Sequence, residues 1–135
     1  VIQLLADVNI TGDVALLVQI MQSDYWREFW DYLDVRLRTF PELGLSRGEP
    51  DERVWQACQQ HGLCLLTSNR NEAGPDSLGV TIRTLGTEFS LPVFTISDAD
   101  VIFRSKEYAT RVVESLFDFL LRIDAVRGTG RLYLP

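Results

Sequence analysis

The chain has 135 residues, of which 46% are hydrophobic and 24% charged. That is the usage of a folded globular domain and excludes intrinsic disorder. Thirteen basic against nineteen acidic side chains leave a net charge of −6, which disfavours a passive nucleic-acid binder, because such proteins carry a basic face. No apolar run approaches the roughly 18–20 residues of a membrane span, and no basic-then-apolar leader is expected at the start. The length predicts a single domain over 1–135 with a core that needs no disulfide or metal staple.

Ile2 to Asp7 reads as a short buried strand. Thr11 is placed to cap a helix striped with Val14, Leu17, Val18 and Met21. Ser23 is placed to cap a second, aromatic helix striped with Trp26, Phe29, Trp30 and Leu33. Tyr25, Trp26, Phe29, Trp30 and Tyr32 crowd into eight positions there. Core packing and an exposed patch that stacks bases or meets a partner both remain open for them. Val35 to Phe40 alternates apolar with polar residues, as an edge strand does. Pro41 to Pro50 is a loop. A helix follows from Asp51, with Pro50 near its first turn and Gly62 just past its end. Leu63 to Thr67 is continuously apolar, as expected of a central parallel strand. After a polar loop, Ser77 caps a helix carrying Leu78, Ile82 and Leu85, and Val93 to Ile96 forms another strand. The last long helix is predicted from Ser105 to Asp124. Phe117 and Leu121 widen its apolar face, so either the helix is deeply buried or a partner covers part of it. Arg131 to Leu134 closes the chain as a strand. Strands alternating with helices predict an α/β fold: three layers, α/β/α, around a mostly parallel sheet of four to five strands.

Cys58 and Cys64 sit in apolar stretches without metal-ligand spacing and read as reduced, buried thiols. His61 is the only histidine. It falls at a helix end, where it meets the dipole, and a zinc site or a histidine-based triad has no further support. Glycine-rich phosphate loops are absent, and the single lysine, Lys106, is poorly placed for a receiver-type module.

Ligands in such sheets bind beyond the carboxyl ends of the strands. Four segments gather there: Asp7 with Asn9, Asp51 with Glu52, Thr67 to Glu72, and Ser97 to Asp100. They are rich in oxygen and carboxylates, a set that suits a hard cation such as Mg²⁺ or Mn²⁺.

Three stretches resemble a known family, the PIN-like domains, in particular the small prokaryotic proteins related to toxin ribonucleases. Leu4-Leu5-Ala6-Asp7-Val8-Asn9 is similar to that family's strand ending in Asp-x-Asn. Leu43-Gly44-Leu45-Ser46 with Pro50-Asp51-Glu52-Arg53-Val54-Trp55 is similar to its loop and Asp-Glu helix start. Gly62 to Asn71 is similar to its strand ending in Thr-x-Asp-x-Asp. The likeness covers roughly the first half of the chain. It implies a cytoplasmic, metal-dependent ribonuclease in which Asp7 and Asp51 are catalytic and Asp7, Asp51, Asn69 and Asn71 surround Mg²⁺ or Mn²⁺. It also implies RNA as substrate, an antitoxin or other protein as partner, and a homodimer, which the broad face of the last helix permits. Two of the family's acidic positions are amides here, Asn69 and Asn71. An amide oxygen ligates a cation but brings no charge, and a net loss of about 1.4 kcal/mol per position costs tenfold in affinity. The cation is then weakly held or absent, unless Asn9, Glu52, Glu72, Asp98 or Asp100 supplements the site. The alternative is a PIN-like domain without catalysis that binds protein or RNA.

Overall fold

A computed structural model describes residues 1–135. Five strands, β1 (Ile2–Ala6), β2 (Val35–Arg38), β3 (Leu63–Thr67), β4 (Val93–Ile96) and β5 (Arg131–Leu134), form one sheet in the order β2-β1-β3-β4-β5, and every pairing is parallel. The sheet is thus wholly parallel, and the alternating strand at Val35 is an edge strand, as its pattern requires. β3 and β4 are buried at every residue, which explains their unbroken apolar sequence.

Helices cover both faces. On one lie α1 (Thr11–Met21), α2 (Arg27–Leu33) and α5 (Lys106–Leu120), packed with Leu4, Leu66, Phe94 and Leu134 into a core of 22 buried residues. On the other, α3 (Asp51–His61) and α4 (Leu78–Leu85) close a smaller core around Leu5, Leu63, Leu65 and Val93. α5 packs beside α1 although it leads outward to β5. The β4–α5–β5 crossover therefore has the opposite hand to the two through α3 and α4, an uncommon arrangement in parallel sheets.

Local chemistry sets most helix ends. Ser77, as the sequence predicts, accepts from the backbone N–H of Val80 and caps α4, and Ser105, expected as the first residue of α5, instead caps it by accepting from the Tyr108 N–H. Gly62 ends α3 at φ 72°, a left-handed conformation that other residues rarely adopt. Three expectations fail. Thr11 lies inside α1, whose cap position is Ile10. Ser23 does not start α2, because its hydroxyl donates back to the carbonyl of Ile20 at 2.6 Å, and the helix begins only at Arg27. α5 also stops at Leu120, short of Asp124, and a separate 3-10 turn (Ile123–Val126) follows and buries Val126. No helix is long and apolar enough to cross a membrane.

Candidate functional site

The chain leaves β1 toward β2 on one side and returns to β3 on the other, so the strand order reverses between β1 and β3. That switch point opens a crevice at the carboxyl ends of both strands. Asp7 stands directly after β1, and its backbone N–H donates to the carbonyl of Leu66 at 2.9 Å, which ties it to β3. Asp7 precedes a helical turn, the 3-10 segment Val8–Ile10, but its side chain makes no capping bond. The carboxylate instead accepts from the Thr67 hydroxyl, at 2.7 Å from Oδ2.

Thr67 starts a chain of local bonds that shapes the following loop. It is fully buried, and its hydroxyl oxygen accepts the N–H of Asn69 at 3.0 Å. Asn69 Oδ1 in turn accepts the N–H of Asn71 at 2.9 Å. Asn71 Oδ1 accepts the N–H of Ala73 at 3.1 Å. The remaining polar group of Asn69, its Nδ2, donates to Asp51 Oδ2 at 3.1 Å. Turning the amide over would set its oxygen against a carboxylate and its NH₂ against an N–H, so both neighbours fix its orientation.

Asp7, Asn9, Asp51 and Asn69 all line one cleft of about 200 Å³, together with Arg47, Glu49 and Ser68 over an apolar floor that includes Phe40, Val54 and Leu65. Four of the expected residues are thus brought together. The other five are not. Asn71 is spent on the loop backbone. Glu52 points outward from α3 and is exposed. Glu72 is held by Arg83 at 2.8 Å and Arg131 at 2.9 Å. Asp100 pairs with Arg104 at 3.2 Å. Asp98 lies at the turn after β4, where its N–H donates to the Tyr108 hydroxyl at 3.0 Å. Glu72 stands in the loop before α4 and does not line the cleft, while Asp98 and Asp100 sit beyond β4, two strands from β1.

Sequence reasoning missed three participants. Arg47 and Glu49 lie in the proline- and glycine-rich loop, where no periodicity marks them. Glu49 bonds Ser46 and Arg53. Arg131 is the third. Its side chain is only 6% exposed. It reaches from β5 across the sheet face to donate from Nη1 to the carbonyl of Asn69 and to the Thr95 hydroxyl, both at 2.7 Å. It thereby clamps the Asn69 loop onto the sheet. An arginine opening an otherwise apolar strand was the available signal.

In the smaller core, burial pushes the Cys58 thiol up to about 12, reinforced by Cys64 and Asp7 nearby. Burial pushes Cys64 to about 12 as well. Both thiols are therefore neutral at ordinary pH and poor metal ligands.

The residues do not fit a catalytic Mg²⁺ or Mn²⁺. Such an ion seeks about six oxygen ligands, several of them carboxylates or waters. No group of three or more acidic, histidine or cysteine side chains is placed to hold one ion. Asn69 turns its NH₂ rather than its oxygen toward Asp51, and the Arg47 cation lines the same cleft. No family model, curated protein or solved structure matches the chain.

Proposed function

We propose that the protein is a PIN-like domain that no longer performs metal-dependent phosphodiester hydrolysis and acts through protein binding. The observation that carries this reading is the bond from Asn69 Nδ2 to Asp51. A hydrogen-bond donor meets the Asp51 carboxylate that a cation would need, and Glu49, the third carboxylate lining the cleft, is held by Arg53. The exposed aromatic helix supports the binding half. Tyr25 and Tyr32 are about four-fifths exposed, at 81% and 79%, and Phe29 lies beside them. The net charge of −6 favours protein over RNA as the partner.

Single-stranded RNA incubated with the protein and Mn²⁺ is the test. The reading expects uncut RNA. Cleavage that needs Mn²⁺ and disappears in Asp7→Asn overturns it and restores the ribonuclease reading, for which the shared cleft of Asp7 and Asp51 is the support.

A further inference from the structure

A second hollow, of about 260 Å³, lies between α4 and the start of β5, with Glu72, Gly79, Arg83, Gly130 and Arg131 in its lining. Two arginines meet a single carboxylate there, so the hollow carries a positive surplus in a chain whose net charge is −6. No residue lines both this hollow and the cleft. We propose that the hollow binds a small tetrahedral oxyanion, phosphate or sulfate.

Arg131 has a donor to spare. Its side chain is nine-tenths buried. Nε donates to Glu72 Oε1 at 2.9 Å, and Nη1 donates to the Asn69 carbonyl and the Thr95 hydroxyl. Nη2 is buried and makes no hydrogen bond. A buried charged donor without an acceptor is costly, and native structures rarely leave one. Nε and Nη2 form the edge of a guanidinium that a carboxylate can fill with both oxygens. Glu72 does not complete that fork. Its Oε2 accepts from Arg83 Nη1 at 2.8 Å, and its backbone carbonyl accepts from Arg83 Nη2 at 2.9 Å. Gly79 fits this arrangement, because a Cβ there would fall on Glu72 Oε2. One carboxylate is thus spread over two arginines and leaves Nη2 unserved. Two more donors belong to the same lining. The backbone N–H of Gly130 makes no hydrogen bond, and the Arg83 side chain is more than half exposed. A tetrahedral oxyanion offers an oxygen to each of the three groups and neutralises the surplus charge. A water molecule accepts at most two hydrogen bonds and leaves the charge in place.

The test is differential scanning fluorimetry of the whole chain in sodium phosphate, against sodium chloride of equal ionic strength. Wild type should gain roughly 6–10 °C when phosphate stands a hundredfold above its dissociation constant, and sulfate should act in the same way. Arg131 is left intact, because its loss also frees the Asn69 loop. Arg83→Met removes one of the two cations from an exposed position and should raise the phosphate dissociation constant about tenfold. Glu72→Gln removes the competing negative charge and should lower that constant about tenfold, even though the variant melts below wild type in chloride. Arg27→Met, an exposed change on α2 at the opposite face of the sheet, should respond to phosphate as wild type does. A wild type no more stable in phosphate than in chloride overturns the inference, and water then fills the place beside Nη2. A phosphate effect unchanged in both Arg83→Met and Glu72→Gln overturns it as well, as does one lost equally in Arg27→Met.

Discussion

Asn69→Asp restores an acid at a position where the resemblance implies one, and its consequences follow from the geometry. It replaces a donor 3.1 Å from Asp51 Oδ2 with a carboxylate. Two unit charges at that separation repel by roughly 5 kcal/mol at an effective dielectric of about 20. Rotation of the new side chain and entry of water remove much of this. The lost hydrogen bond to a charged acceptor adds back about 1.5–3 kcal/mol. A net destabilisation of about 2–3 kcal/mol lowers the melting temperature of a chain this size by roughly 5–12 °C. The same substitution completes a cluster of three carboxylates, Asp7, Asp51 and the new acid, which a divalent cation neutralises. Free Mn²⁺ at one hundred times its dissociation constant stabilises by about 2.7 kcal/mol and returns the lost degrees. The assay is differential scanning fluorimetry of both proteins in chelator and in a Mn²⁺ series. The variant should melt lower than wild type in chelator and rise with Mn²⁺, while the wild type stays flat. A variant as stable as wild type in chelator, or one unmoved by Mn²⁺, refutes the geometry argued for Asn69.

Arg131→Met removes two charged hydrogen bonds of a buried guanidinium, to the Asn69 carbonyl and the Thr95 hydroxyl, while the half-exposed Glu72 keeps Arg83; the lost bonds cost about 3 kcal/mol, whereas Arg83→Met, at an exposed pair, costs less than about 1 kcal/mol. Urea midpoints read the difference, and equal losses contradict the clamp. Gly79→Ala sets a methyl group 2.8 Å from the Glu72 Cα, so the loop must shift at a cost of about 2 kcal/mol, again read from urea midpoints. For the cysteines, the folded thiols keep their protons to about 12 while unfolded thiols ionise near 9.0. Unfolding releases protons between those values, so this contribution to stability is whole below about pH 9 and falls as pH rises toward 12. The urea midpoint should drop as pH rises from about 9 toward about 11, and Cys58→Ser with Cys64→Ser should flatten that drop.

Local features of the chain were legible. The five strands, the serine cap at Ser77 and the Gly62 stop depend on neighbours within a few residues, and each stands where the sequence places it. The gathering of Asp7, Asp51 and Asn69 was legible because strand order alone brings those segments to one edge. What was not legible depends on distant partners. Asn69 meets Asp51 eighteen residues away and Arg131 sixty-two residues away, and nothing in the Ser-Asn-Arg-Asn run announces which way its amide turns. The start of α2 was misplaced for a related reason. Ser23 had two carbonyl and amide options within reach, and its hydroxyl closes the end of α1 rather than the start of the next helix. The hand of the final crossover depends on α5 docking beside α1, which periodicity alone does not specify.

The central claim concerns what the cleft holds. A Mn²⁺ titration of the wild-type protein followed by electron paramagnetic resonance counts free hexaaquo ion directly. The account predicts that the free-ion signal grows in proportion to added Mn²⁺, with no site saturating below the millimolar range. A single site that saturates at micromolar Mn²⁺ and vanishes in Asp7→Asn contradicts it.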